Sequence, residues 1–175
     1  YKALYSNTTG GVNVASGYWA LYTNTTGQSN IATGYATLRY NTTGSYNVAY
    51  GQGALQDNTT AGNNTAVGND ALGHNITGKS NTGMGVNALY WQTDGDYNTA
   101  IGQESGANIT TGNYNVCLGY AAYPSSATVD DEVVLGDGHI ATLRCNTSTI
   151  SSLSDARDKV EVEPSPLGID FINTL

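Results

Sequence analysis

A 17-residue repeat is the feature that most restricts what this chain can fold into. Glycine recurs seven times at this spacing, and an asparagine lies four residues before each glycine. The glycines are Gly17, Gly34, Gly51, Gly68, Gly85, Gly102 and Gly119, and the asparagines are Asn13, Asn30, Asn47, Asn64, Asn81, Asn98 and Asn115. Repeat positions are therefore numbered 1–17, with Asn at position 13 and Gly at position 17. A unit this short cannot form a helical hairpin or a propeller blade.

One strand is predicted in each unit, over the segment Asn-x-Ala-x-Gly. Position 14 is always β-branched and position 15 is always small, as in Val14 and Ala15. A period of two places positions 14 and 16 on one side of the strand and positions 13, 15 and 17 on the other. Positions 7–10, Asn-Thr-Thr-Gly, have turn chemistry, because Asn tolerates the left-handed backbone region and Gly prefers it at no steric cost. The predicted fold class is all-β: a repetitive β-solenoid of seven 17-residue coils over residues 1–123.

The two sides of this strand differ in what they require. The small residues of position 15 need a close neighbour, which is either the opposite wall of the same coil or another chain. Position 14 is Val, Ile or Thr and position 16 is mixed, so this side is apolar enough to need cover, and a single thin coil cannot bury both sides. We therefore expect several copies to pack together or intertwine, most simply as a homotrimer around a fibre axis.

Two polar columns leave alternatives open. The asparagines of position 13 form either a ladder of stacked amides or a sugar-binding row. Seven other asparagines match the Asn-x-Ser/Thr pattern of glycosylation acceptors: Asn7, Asn24, Asn41, Asn58, Asn75, Asn108 and Asn146. Tyrosines also recur in register, as at Tyr18 and Tyr35, and such rows either contact saccharides or other partners or cover coil edges and chain contacts.

Charge and composition exclude several function classes. The formal net charge of −8 argues against nucleic-acid binding, which requires a basic patch. The chain has no apolar run of 18 residues, so no membrane insertion is predicted. Two cysteines are too few for a disulfide framework, and His74 and His139 lack the spacing of a metal or catalytic site. No cofactor or metal is expected. Because the chain begins inside the repeat and shows no signal peptide, we expect it to be part of a longer protein.

Residues 124–153 change in character and are predicted to form a β neck. An apolar strand at Val133-Val134-Leu135 is followed by a turn and by a second short strand over residues 140–145. A hairpin, or strands wrapped around a shared axis, fits this pattern. The preceding acidic cluster, Asp130-Asp131-Glu132, lacks the spacing of a calcium loop and is interpreted as a solvated strand edge.

The hexad Ser154-Asp155-Ala156-Arg157-Asp158-Lys159 resembles the opening of the endosialidase-type intramolecular chaperone found at the ends of phage tail fibres and tailspikes. The family pattern is Ser-Asp-x-Arg-x-Lys, and all four defined positions match. After Pro166, the apolar residues Leu167, Phe171 and Leu175 have the spacing of one helix face. Residues 154–175 are therefore interpreted as the truncated start of this chaperone and of its first helix.

The resemblance implies a structural tail-fibre segment, located in the virion, that takes part in host attachment through a cell-surface glycan or protein receptor. It also implies that the chaperone trimerises the fibre and then releases itself by one cut between Leu153 and Ser154. Ser154 would be the nucleophile and Lys159 the assisting base or acid. Because the family's chaperone continues well beyond one helix, we expect this single-turnover protease to be inactive in the truncated chain.

Two other functions remain open from the sequence. The head of a bacterial trimeric surface adhesin shares Asn-x-Ala-x-Gly coils, although the hexad favours the phage interpretation. An ice-binding solenoid would use the paired threonines of positions 8 and 9, but Ile76 and Asp94 interrupt that array. A glycan-degrading enzyme is disfavoured because no coil carries paired catalytic carboxylates.

Overall fold

The computed structural model describes residues 2–142, and these residues form an all-β solenoid. Eight three-residue strands lie side by side in one sheet in chain order, each parallel to the next. They are β1 Val14–Ser16, β2 Ile31–Thr33, β3 Val48–Tyr50, β4 Thr65–Val67, β5 Thr82–Met84, β6 Thr99–Ile101, β7 Val116–Leu118 and β8 Val133–Leu135. Residues 2–140 belong to one compact unit. The predicted C-terminal helix lies outside the described residues.

The register of the sheet confirms the predicted fold class. Every strand pairs with the next at an offset of 17 residues, beginning with Val14 opposite Ile31 and Ala15 opposite Ala32. Identical repeat positions therefore lie directly above one another. At a strand spacing of about 4.8 Å, the seven steps from β1 to β8 span about 34 Å.

The 17-residue register continues beyond residue 123, into the segment interpreted as a neck. Val116 of β7 pairs in parallel with Val133 of β8, so this apolar segment adds a coil to the stack instead of pairing in an antiparallel hairpin. Gly136 occupies position 17 of this eighth coil. Of the second predicted strand, residues 140–142 are described and are not in a strand; residues 143–145 lie outside the described part.

A narrow hydrophobic core runs through the coils and identifies the close neighbour of position 15. The small residues of that position cluster with the leucines of position 4, such as Leu38 and Leu55, which are fully buried. A methyl group placed on Gly83 would lie 3.3 Å from Leu72 Cγ. The neighbour is therefore the opposite wall of the same chain. The strand forms one wall of each coil, and the segment around position 4 forms the other.

The turns use left-handed backbone at sites that the sequence did not indicate. Positions 2, 4 and 12 have positive φ in coil after coil, including buried leucines such as Leu55 at φ 50° and Leu72 at φ 51°. The Asn and Gly of Asn-Thr-Thr-Gly tolerate left-handed backbone, but neither has positive φ there. Space is tight at Gly27, at position 10: a methyl group there would lie 2.9 Å from Asn41 Nδ2, with a carbonyl oxygen closer still, although the fourth coil accommodates Ala61 at the same position.

In the seventh coil, the large apolar core residue moves from position 4 to position 7. Gly106 replaces the leucine of position 4, and Ile109 replaces the buried amide of position 7. Ile109 is 1% exposed and joins the hydrophobic cluster, and its Cδ1 would lie 3.3 Å from a methyl group at Gly106. The volume lost at one position is therefore filled from the other, as close packing requires.

Cys117 takes position 15 of the seventh coil and is fully buried. Burial, with the nearby Glu132 carboxylate, raises the pKa of its thiol to about 11. Replacing Cys145 with serine leaves Cys117 as the one thiol in the chain. Because the thiolate is the reactive form, we expect this variant, when folded, to react with iodoacetamide at pH 8 at least about 100-fold more slowly than when it is unfolded in guanidinium. Mass spectrometry measures the rate. Equally fast labelling of the folded protein would place the thiol at the surface.

The same pKa gives a pH dependence with a definite sign. A thiol whose pKa is raised by folding stabilises the folded state below its unfolded pKa of about 8.5, and that contribution is lost as the pH rises towards 11. Cys117→Ala places the common residue of this column in the site. We expect it to remove this part of the decline in unfolding free energy above pH 9, and parallel urea titrations of both proteins test that.

Candidate binding surfaces

The catalytic residues implied by the family resemblance are not among those the structure describes. Leu153, Ser154 and Lys159 all lie outside residues 2–142, and their roles stay predictions. The same holds for Cys145 and for the acceptor asparagine Asn146.

The asparagines of position 13 face the core and form a ladder. Asn47, Asn64 and Asn81 are fully buried. The Oδ1 of each accepts the backbone N–H of the next asparagine in the column, as from Asn64 to Asn47 at 3.1 Å and from Asn81 to Asn64 at 2.9 Å. Each Nδ2 donates to a carbonyl of position 10 in the following coil, as from Asn64 to Gly78 at 2.9 Å. The ladder interpretation is confirmed, and a sugar-binding row at position 13 is excluded.

A second ladder occupies position 7, where the sequence shows glycosylation acceptor patterns. Asn41 Nδ2 donates to Asn24 Oδ1 at 2.8 Å, and Asn58 Nδ2 donates to Asn41 Oδ1 at 2.8 Å. Asn24, Asn41, Asn58 and Asn75 are fully buried, so these amides are not accessible for modification in the folded protein. The columns are internal supports of the coil and not ligand sites.

The two ladders meet at Gln92, where the asparagine of position 7 is replaced by a longer amide. Gln92 Nε2 donates to Gly95 O at 2.8 Å and to Asn75 Oδ1 at 3.3 Å. The next residue in the column is Ile109, which cannot donate to the glutamine oxygen. Gln92 Oε1 instead accepts from Asn98 Nδ2 at 3.0 Å. The longer side chain thus satisfies its oxygen across the coil, as a buried polar atom requires.

The outer face of the strand wall carries a continuous apolar strip. At position 16, six successive coils present large apolar side chains, five of them between 37% and 45% exposed. These residues, named the strand strip, are Tyr50, Val67, Met84, Ile101, Leu118 and Leu135. The β-branched residues of position 14 run beside it. The expectation that this side remains uncovered in one isolated copy is therefore met.

An aromatic cluster with one cation lies on coils 2 and 3. It consists of Tyr18, Trp19, Tyr22, Tyr35, Arg39 and Tyr40. The Tyr18 and Tyr35 rings stack with centroids 5.9 Å apart and an interplanar angle of 6°. The Arg39 guanidinium carbon lies 4.0 Å from the Trp19 ring centroid and 4.9 Å from that of Tyr40. The recurring tyrosines thus stack in rows, as their repeat spacing requires.

The histidines, interpreted from the sequence as isolated, each have a carboxylate partner. His74 Nδ1 lies 2.7 Å from Asp57 Oδ2, and its ring stacks on Trp91 with centroids 4.9 Å apart. His139 Nδ1 lies 2.8 Å from Asp137 Oδ2, and this contact raises the pKa of His139 and lowers that of Asp137. Asp57 and His74 differ by 17 in number, so reading down the columns of the repeat would have found that pair.

Within residues 2–142, the structure contains no group of three or more His, Cys, Asp or Glu residues arranged to hold a metal ion. The same residues contain no helix of the length and hydropathy needed to cross a membrane.

Comparison with protein-family models, curated proteins and solved structures found no match to this chain.

Proposed function

We propose that this chain is a structural segment of a homotrimeric phage tail fibre that takes part in attachment to the host. The observation that carries the proposal is the strand strip. Exposed apolar patches of this length on a regular, rigid surface are characteristic of association sites. Because the strip runs along the stack from coil 3 to coil 8, parallel copies can bury it against one another along a common axis.

The choice of a phage fibre rests on the hexad beginning at Ser154 and on the repeat that precedes it. Non-local pairing between several chains is slow and exposes unpaired edges, so a fibre of this kind benefits from a chaperone that brings its copies together. A cut between Leu153 and Ser154 would release that chaperone once assembly is complete. The Ser154 hydroxyl lies next to the carbonyl that it would attack, and this proximity favours the reaction.

The head of a bacterial trimeric adhesin is the second candidate, because stacked Asn-x-Ala-x-Gly coils and an uncovered apolar face suit it equally well. The two candidates differ in what surrounds the solenoid. An adhesin head is followed by a long coiled-coil stalk with a heptad repeat, whereas a fibre is followed by the complete chaperone. The sequence of the full gene distinguishes them.

Association through the strand strip is tested by Ile101→Glu. Ile101 is 45% exposed at the middle of the strip, so a single copy tolerates the charge, whereas burial between copies would leave carboxylates unpaired. We expect a sedimentation coefficient corresponding to the monomer and an unchanged far-ultraviolet circular dichroism spectrum. Thr111→Glu adds the same charge at an exposed site on a different face and should leave assembly unchanged. Equal assembly of both variants would exclude the strip as the interface.

The self-cleavage step requires a version with the complete downstream module. Intact mass spectrometry is expected to show wild-type protein ending at Leu153 and the Ser154→Ala protein uncut. Lys159→Arg keeps the positive charge but removes the ability to lose a proton at moderate pH, so we expect it to cleave at least about 100-fold more slowly. An uncut wild type would contradict the assigned chemistry without bearing on the strand strip.

A further inference from the structure

Positive and negative charges are separated along the solenoid. Residues 1–56 contain Lys2 and Arg39 and no acidic residue, whereas residues 57–175 contain all 14 acidic residues and four basic ones. The first three coils are thus a positively charged end of a protein whose overall charge is −8. Such a local reversal of charge attracts anions to one part of the surface.

Both cations of this end lie against aromatic rings. The Lys2 ammonium is 5.3 Å from the Tyr5 ring centroid, and Arg39 lies between Trp19 and Tyr40. Within residues 2–142 neither cation forms a salt bridge, and Arg39 Nε has no hydrogen-bond partner among the described residues. The guanidinium is therefore held in place by stacking while its charge remains uncompensated.

The surrounding rings are held in fixed orientations. Tyr5 stacks on Tyr22 with centroids 5.2 Å apart and an interplanar angle of 6°. Trp19 contacts the rings of Tyr18, Tyr22 and Tyr35, with centroids 4.5–6.5 Å away. Tyr18, Tyr35 and Tyr40 are 41–48% exposed, so the cluster presents rigid ring surface to solvent. Pre-organised aromatic and arginine side chains are the usual anchors of binding surfaces.

We propose that the aromatic cluster binds a saccharide chain bearing carboxylate groups. The exposed ring surfaces of Tyr18 and Tyr35, which Trp19 packs against, match the apolar C–H faces of sugar rings. The planar fork of Arg39 matches a carboxylate. Tyrosine hydroxyls around the cluster supply donors and acceptors for sugar hydroxyls. An acidic peptide would offer the carboxylate but lacks the flat, hydroxyl-rimmed rings that successive stacked aromatics accommodate.

The site is compatible with assembly through the strand strip. Tyr22 and Arg39 share position 5, next to the buried leucine of position 4, on the wall across the core from the strand. This part of the cluster therefore remains outside the proposed interface between copies. The inference deepens the attachment role in the proposed function and rests on it, although binding itself requires neither cleavage nor the trimer.

The test uses the full chain, purified as it exists, and galacturonic acid octamers as the probe. Because the protein has two tryptophans, Trp91→Phe leaves Trp19 as the only one, and its fluorescence then reports on the site directly. Titration is expected to change Trp19 fluorescence saturably. The methyl-esterified octamer has the same sugar rings without the charge, and we expect it to bind at least about tenfold more weakly.

Variants in the same background separate specific recognition from general attraction. Arg39→Gln is expected to weaken binding of the octamer at least about tenfold, because a charged hydrogen-bonding partner is lost. Arg39→Lys keeps the charge but not the planar fork and should recover only part of this loss. Lys79→Gln removes the same charge from an exposed site away from the cluster and should change the affinity less than about twofold.

Three results would overturn the inference. One is no saturable change with the octamer. Another is equal weakening by Arg39→Gln and Lys79→Gln. The third is equally strong binding of tripolyphosphate or of a poly-glutamate peptide, which would show attraction of any polyanion or recognition of a protein partner. The molar mass of the same samples, measured by light scattering, separates the two proposals. If a trimeric protein fails to bind the octamer, only the saccharide site is refuted. If a monomeric protein binds it, only the trimer is refuted.

Discussion

Replacing Gly51 with alanine is expected to lower the unfolding free energy by about 3 kcal/mol or more. Gly51 has φ +129°, a region that residues with a side chain rarely adopt. A methyl group there would lie 2.6 Å from the carbonyl carbon of Gly68 and 3.2 Å from the backbone N of Asn69, with the Gly68 oxygen closer still. These atoms belong to the backbone of the next coil, so relief requires the two coils to separate.

Gly11→Ala is the matched control for this substitution. Gly11 has no positive φ, and a methyl group on it would meet nothing within 4 Å. Urea denaturation of both variants, followed by circular dichroism, should therefore leave the midpoint nearly unchanged for Gly11→Ala and move it strongly for Gly51→Ala. A loss of less than about 1 kcal/mol for Gly51→Ala would mean that adjacent coils are farther apart than the structure shows.

Asn64→Ala is expected to cost about 3 kcal/mol, because it breaks the position-13 ladder at mid-length. The amide of Asn64 accepts the Asn81 backbone N–H at 2.9 Å and donates to the Gly78 carbonyl at 2.9 Å. The Asn81 N–H belongs to a buried residue and would be left without a partner, while the Gly78 carbonyl would keep only its bond from Asn75 Nδ2 at 2.9 Å. Asn69→Ala makes the same chemical change at an exposed position whose side chain bonds only to Asp70, and should cost less than about 0.5 kcal/mol.

Asn64→Asp distinguishes the ladder from simple packing, since it preserves the volume of the side chain. The introduced carboxylate keeps the acceptor for Asn81 but cannot donate to the Gly78 carbonyl, and burial disfavours its charged form. Only the protonated acid supplies a donor, so the variant should be closer to wild type at pH 4 than at pH 7. Denaturation midpoints that differ from wild type equally at both pH values would place position 13 in contact with solvent.

Columns of identical residues explain why much of the fold could be predicted. In a parallel stack every position meets its own equivalents, so a residue is retained in each coil only if it tolerates that neighbour. Asparagine can donate to and accept from another asparagine, which made the ladder at Asn47 and Asn64 predictable. The small residues of position 15 likewise required a close wall, although the sequence did not say which chain supplied it.

The left-handed leucines could not be predicted, because local preference opposes them. A residue such as Leu55 pays an energetic cost of about 1 kcal/mol or more for positive φ, so propensity rules place leucine elsewhere. Burial of the side chain in the core offsets that cost, contributing about 2 kcal/mol per leucine. This balance between backbone strain and side-chain burial is visible only in the folded coil, since the burial depends on contacts between residues distant in sequence.

The eighth coil and the His74 pair were missed for a different reason. The repeat pattern weakens after residue 123, where Tyr123 and Pro124 enter its columns, yet Gly136 still occupies position 17. Backbone pairing between β7 and β8 needs only extended residues in register, so the stack continues after its sequence signature fades. His74 has no partner near it in sequence, and its partner Asp57 lies directly below it in the stack, 17 residues earlier.

The most direct test of the assembled solenoid is the molar mass of the wild-type chain in solution, measured by light scattering during gel filtration. One chain has a mass of 18.2 kDa. If copies cover one another's strand strips in the proposed way, the mass will be three times that value and will not change on dilution through the micromolar range. A stable particle of 18.2 kDa that stays soluble with its strip exposed would contradict the proposal.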